Sequence, residues 1–440
     1  MTTLSDAQLG QIADNIFVMG DRAKTRLAKP TTVGPVGFTS ALDPIATQPD
    51  FKDAGIGVVD FTQAPAPPNV WLHNGDHPFR IGSASKIAMM LAAVQLRLDV
   101  RRILDLKIIS TAAEFDELFR NPKLWKKAKP PQTEMQQIAG AGNAPLISKI
   151  FDFAKSPVDF LGPDPDGRTN PADQSAIVSK LPADGEMSWA KWTDFTFSER
   201  LWLAGCRSDN VAATSCVSEI GVPYIKAVQR SYGLADRPHG MHLLASSGYD
   251  KIPRGSTPPT PPPPRQLTHV EPIPVDDFWW DPRTRSFDDT QSWVPGSAAA
   301  LTAYMIALMT QEFADPGTSL GGGIAACQTI RNNLADDGPN AIESFLVNFG
   351  VNTVANTTVT RQINKIGILR KEDGAKSPLV CEFVYLETRQ NPAPPLPHRA
   401  VMKYAVVTTG LISDTTGAGH NAAEKSAALG AAVHNALLSL

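Results

Sequence analysis

Runs that read as strands stand near both ends of this chain, and runs that read as helices fill the stretch between them. Near the start come Gly55 to Thr62 (GIGVVDFT) and Asn69 to Asn74 (NVWLHN). The last third holds Arg361 to Lys371 (RQINKIGILRK), Leu379 to Thr388 (LVCEFVYLET) and Tyr404 to Gly410 (YAVVTTG). These runs carry the β-branched and aromatic residues that favour strands. The connections among the last three are short enough for an antiparallel meander. This order leaves one economical solution, an α+β fold. A single antiparallel sheet of about five strands is assembled from both ends of the chain, with helices laid over it. One domain then has two parts: an α/β part, residues 1–82 with 296–440, and an inserted helical part, residues 83–295.

Residues Ser5 to Met19 read as an amphipathic helix, capped by Ser5, with Leu9, Ile12, Ile16 and Phe17 on one face. A Pro/Thr/Gly-containing connection follows, through about Phe51. The piece QAPAPP between the first two strands suits a connection, because proline cannot donate to a central ladder. A long apolar helix, SASKIAMMLAAVQLRLD, begins near Ser83. From about Ile108 to Arg200 the chain is mixed and helix-leaning. Further helical patterns run over Phe197 to Gly205, Val211 to Ile220, Val222 to Ser231, Gly296 to Phe313 and Asn421 to Leu440. Residues Ser256 to Arg265 (STPPTPPPPR) read as an exposed polyproline-like loop.

The chain has 440 residues, 42% of them hydrophobic, enough for a sizeable core. A net charge of -3 rules against the basic stripe of a nucleic-acid binder. No run has the roughly 18 apolar residues of a membrane span. The start, MTTLSDAQLGQIADNIF, lacks the features of a secretory signal, so the expectation is a cytoplasmic protein or a chain that begins after processing. Cys206, Cys216, Cys327 and Cys381 form no CxxC pair. They read as buried reduced thiols, with a disulfide between Cys206 and Cys216 left open. His73, His77, His239 and His242 form no ligand set. Gly321-Gly322-Gly323 lacks the context of a phosphate loop. The expectation is therefore no metal and no organic cofactor.

Serine acyl transfer needs a hydroxyl, a base for its proton and donors for the oxyanion. Ser83-Ala84-Ser85-Lys86 offers the first two. Positions i and i+3 of a helix share a face, so Ser83 Oγ and Lys86 Nζ can meet. Burial lowers a lysine's pKa and fits it to act as a base. The serine sits at a helix N-terminus, where free N–H groups favour negative charge. A second match, Ser188-Trp189-Ala190-Lys191, opens no long apolar helix and reads as accidental. Ser208-Asp209-Asn210 offers a hydroxyl and an amide on one short loop, though the same residues also serve as an ordinary helix cap. Lys365-Ile366-Gly367 offers a positive charge on a strand and a glycine that lets substrate approach closely.

Taken in order, SxxK, SDN and Lys-x-Gly resemble the motif set of the serine β-lactamases and penicillin-binding proteins. Among these the chain is most similar to class A β-lactamases. FSERLWLAG before SDN and GSAAALTAYMIALM before the late strands extend the resemblance, which runs from about Gly55 to the end with long insertions. It implies a cleft between an α/β part and an all-helical part. Ser83 would be the nucleophile and Lys86 the base. Ser208 would shuttle a proton, Asn210 and Gly367 would bind substrate, and Lys365 would bind it too while holding the electrostatics of the pocket. The backbone N–H groups of Ser83 and Ile368 would form the oxyanion hole.

Two departures bear on the substrate. The family carries hydroxyls where this chain has Ile366 and Ile368. Those hydroxyls bind the substrate carboxylate, and each such bond is worth about 1.5–3 kcal/mol. The family's deacylating glutamate has one candidate here, Glu271 in HVEPIPVDD, with Val275 where an asparagine is expected. The implied activity is a serine hydrolase acting on a β-lactam, amide or ester. A D-Ala-D-Ala carboxypeptidase-like enzyme, an esterase and a non-catalytic binding relative are the alternatives. The partner is a small-molecule or peptide substrate. Oligomeric state is left open.

Overall fold

The computed structural model describes residues 4–19, 27–127, 144–163, 171–183, 185, 187, 191–234, 295–311, 323–334, 343–369, 379–391, 400–413 and 420–440. Its main sheet has five strands in the order β2-β1-β7-β6-β5. The strands are β1 (Gly55–Asp60), β2 (Asn69–His73), β5 (Thr357–Leu369), β6 (Leu379–Gln390) and β7 (Val401–Ile412). Every neighbouring pair is antiparallel. Chain start and chain end therefore meet where β1 pairs with β7, with Val58 opposite Val406. A second, two-stranded sheet pairs β3 (Pro78–Arg80) with β4 (Pro295–Ser297). The sequence pattern did not signal it, because three residues are too few for a periodicity to show.

Helices of eight or more residues are α1 (Asp6–Ala13), α2 (Val36–Ala46), α3 (Lys86–Asp105), α4 (Ala112–Arg120), α5 (Pro171–Val178), α6 (Phe197–Cys206), α7 (Asn210–Ile220), α8 (Val222–Ser231), α9 (Ala298–Thr310), α10 (Gly323–Asn332) and α11 (Ala422–Leu438). The first is capped by Ser5 and Gln8 acting reciprocally and stops at Ala13, so the expected stretch to Met19 ends in turns. Helix α2 corrects the connection expected before Phe51. Its Phe38, Leu42 and Ile45 recur at helical spacing and are buried, and Pro44 sits near its end.

Both faces of the sheet are covered, which is why β1, β6 and β7 read as nearly unbroken apolar runs. Phe383, Tyr385, Ala405 and Val407 face one core with most of α3. Their neighbours Val384, Leu386, Tyr404 and Val406 face a second core with α2 and α11. Helix α3 is buried on nearly all sides, including Lys86, Gln95 and Asp99. Among the described residues no helix is long and apolar enough to cross a membrane. The four cysteines are buried and none forms a disulfide with another. The Pro-rich loop 256–265, Gly321, Gly322, His239 and His242 lie outside the described residues.

Candidate functional site

Ser83 lies in a 3-10 turn, Gly82–Ser85, that runs directly into α3. Gly82 opens the turn with φ 49°, a left-handed value that glycine adopts without strain. Lys86 is the first residue of α3, and its Nζ donates to Ser83 Oγ at 3.0 Å. The same Nζ reaches the Ser208 carbonyl at 2.6 Å, Ser208 Oγ at 3.2 Å and Asn210 Oδ1 at 2.7 Å. Four oxygens thus surround a group that carries at most three hydrogens.

Ser208 and Asn210 stand at the junction of α6 and α7. Asp209 caps α7, its Oδ1 accepting from the Ala212 N–H at 2.8 Å. Its Oδ2 accepts from the Met187 N–H at 2.8 Å, which fastens a separate stretch of chain to the same loop. Ser208 holds φ 58°, an uncommon conformation for a residue with a side chain. Strain of this kind clusters at functional sites. Lys365 on β5 donates to Ser208 Oγ at 2.7 Å and to the Ile366 carbonyl at 3.1 Å.

Both lysines are fully enclosed by protein. Burial, aided by the Lys365 charge and opposed by Asp209, holds Lys86 well below the ordinary lysine value. Burial brings Lys365 down to about 7, with Cys206 and Cys381 pulling the other way. Low pKa is what a lysine needs to give or take a proton near neutrality.

Gly367 lies against the turn that carries Ser83. A Cβ there would stand 2.0 Å from the Ile81 carbonyl oxygen and 3.0 Å from the Ala84 nitrogen. Both atoms are backbone, so the strand or the turn must move. Gly367→Ala is therefore expected to displace the turn that carries Ser83 and to cost about 1–3 kcal/mol of stability, the usual cost of overpacking, which urea unfolding measures.

Ile366 alternates away from Lys365 and is buried with Val380 and Ala422, while Ile368 packs against that cluster. The isoleucine at 366 therefore serves a core beneath the strand. Asn210 is exposed although its Oδ1 holds Lys86, so its amide NH₂ faces outward. A cavity of about 250 Å³ opens here, lined by Gly185, Met187, Arg207, Ser208, Asp209, Asn210 and Val211.

Ser83, Lys86, Ser208, Asn210 and Lys365 are thus joined by one set of hydrogen bonds, and Gly367 abuts the turn. Glu271 and Ser188 lie outside the described residues, and Lys191 precedes a short 3-10 turn. His73 Nε2 lies 2.9 Å from the Lys52 carbonyl, a local contact. Among the described residues no group of three His, Cys, Asp or Glu is placed to hold a metal. Two features escaped the sequence reading: the Ser208 carbonyl as a partner for Lys86, and Asp209 as the tie to Met187. Neither carries a signal, since a carbonyl belongs to every residue and Asp209 reads as a cap.

No family model matches the chain, and no curated protein matches it. Among solved structures, a class A β-lactamase of the last common ancestor of Gram-negative bacteria is 15% identical. The match covers 90% of this chain and 99% of that one, with TM-score 0.40. A β-lactamase from Sphaerobacter thermophilus is 14% identical over 93% of this chain and 97% of that one, with TM-score 0.39. The extended-spectrum β-lactamase TLA-3 is 10% identical over 92% and 98%, with TM-score 0.43. Likeness at these scores carries no weight for chemistry, which rests on the side chains above.

Proposed function

We propose that this chain is a serine hydrolase working through a covalent acyl-enzyme at Ser83. The supporting observation is the continuous chain of contacts from Ser83 Oγ to Lys86 Nζ to Ser208 Oγ to Lys365 Nζ, at 3.0, 3.2 and 2.7 Å. A neutral Lys86 amine has a lone pair that accepts the Ser83 proton as Oγ attacks the substrate carbonyl. The N–H groups of Ser83 and Ile368 receive the developing oxyanion. When the intermediate collapses, the bond to the leaving group breaks, and that group takes a proton through Ser208 Oγ. Water then cleaves the ester on Ser83. Lys365 supplies positive charge beside Ser208, and the outward amide of Asn210 binds substrate.

The substrate is an ester, an amide or a β-lactam. Hydrolysis of a p-nitrophenyl ester, of nitrocefin and of a peptide ending in D-Ala-D-Ala, each compared with Ser83→Ala, separates an esterase, a β-lactamase and a carboxypeptidase. Turnover of at least one by the wild type, and of none by the variant, is expected. No turnover and no adduct with any acylating probe would make the chain a binding relative.

Acylation should follow a bell-shaped pH profile. The base form of Lys86 is its neutral form, so the rate rises with pH as Lys86 loses its proton. It falls near pH 7, where Lys365 loses its charge. The two groups share Ser208 Oγ, so both limbs belong to the pair. Fluorophosphonate labelling rates measured across this range check the shape, and Lys365→Met should remove the falling limb. A rate that climbs without a maximum into alkali would assign Lys365 no charged role.

A further inference from the structure

We propose that His434 is an acid-sensitive catch that fastens the C-terminal half of α11 to the ends of three strands and releases it on protonation. His434 lies on α11 and is fully enclosed, with both ring nitrogens engaged. Nδ1 stands 2.8 Å from the Tyr404 hydroxyl, near the start of β7. Nε2 stands 3.0 Å from Thr357 Oγ1 at the start of β5 and 3.2 Å from Gln390 Nε2 at the end of β6. Gln390 Nε2 also donates to Thr357 Oγ1 at 2.7 Å. One imidazole thus gathers three strands of the sheet. The catch is remote in sequence from Ser83 and would operate whether or not Ser83 is acylated.

An amide nitrogen only donates, so His434 Nε2 accepts from Gln390 and the ring proton sits on Nδ1. A second proton would set an N–H of the ring against an N–H of the amide. It would also bury a charge, and none of the three groups bonded to the ring is an anion. Burial accordingly holds the ring at about 4, below its ordinary 6.5. Once released into water, the ring takes its proton at the ordinary value. Docking is therefore strongest above that value and weakens as pH falls toward 4, with no further loss from this group below it. The other end of α11 is held differently. Glu424 belongs to its cap, and Lys425 pairs with Asp50 at 3.3 Å, beside His420 at 3.0 Å. Glu382 accepts from Ser426, and burial raises its pKa, so acid relieves a buried charge there. Release is thus confined to the half beyond Gly430, and Val433 and Leu437 leave the second core with it.

Native-state hydrogen exchange of the full chain, read by mass on peptides of α11 and α3, tests the catch. In the wild type the opening constant of residues 431–438, corrected for the intrinsic pH dependence of exchange, should rise by on the order of 10²-fold from about pH 7 to about pH 4. Residues 422–428 and α3 should stay protected throughout. His434→Gln keeps a neutral polar side chain and should abolish the rise. Should that variant not fold, the ring of His434 is titrated in the folded wild type by proton NMR. A midpoint near 4 supports the catch, and a midpoint near the ordinary 6.5 overturns it. No rise in the wild type, an equal rise in His434→Gln, or a rise shared by residues 422–428 and α3 also overturns it.

Discussion

Replacing Lys86 with methionine is expected to slow acylation of Ser83 by about 10²–10⁴-fold, the usual contribution of a positioned general base. The chain length and the buried volume are kept, so the helix that opens at Lys86 has no cause to shift. What disappears is the only group within 3.0 Å of Ser83 Oγ that the described contacts supply as a base. The Ser208 carbonyl and Asn210 Oδ1 also lose their donor, since they stand 2.6 and 2.7 Å from Nζ. Some loss of stability should accompany the loss of rate. Fluorophosphonate labelling of folded protein, followed by mass against time, separates the two. A variant labelled at the wild-type rate would mean that the Ser83 proton leaves by another route.

Glu382→Ala is expected to cost about 3–5 kcal/mol of stability, from unpaired donors together with the void left behind. Glu382 is fully buried on β6, directly opposite Ile366. Its carboxylate accepts from Ser344 Oγ, from Ser426 Oγ at 2.5 Å and from the Leu346 N–H at 3.0 Å. Burial raises its pKa, while those donors pull it back down. Ser426 belongs to α11, and Ser344 and Leu346 belong to the short helical segment beneath it, so one side chain ties the sheet to both. Glu382→Gln keeps an acceptor and should cost about 1–2 kcal/mol. Urea unfolding of the three proteins measures both steps. Equal stability of wild type and Glu382→Ala would show that the donors find other partners.

Most of the architecture was legible because its strands are long and its caps are chemically marked. Thr357–Leu369, Leu379–Gln390 and Val401–Ile412 each exceed the runs read from sequence, since polar ends such as Arg389 and Gln390 dilute the pattern. Helix α2 was missed because Pro35 and Pro44 read as loop signals. Yet Pro35 stands at the N-cap, where its missing N–H costs nothing, and Pro44 lies near the C-terminal end.

The site was legible where side-chain type and spacing decide the outcome, as with Ser83 and Lys86 three residues apart. It was not legible where direction decides. That Ile366 turns into a core with Val380 and Ala422 follows from strand pleat and neighbours, and a triplet motif contains neither.

One covalent bond is the most direct test of the proposed chemistry. Wild type and Ser83→Ala are each exposed to a penicillin and to a fluorophosphonate, weighed intact, then digested to locate the added mass. A single adduct on the peptide containing Ser83, absent from Ser83→Ala, is the expected result. Equal adducts on both proteins, or an adduct placed on another residue, would contradict it.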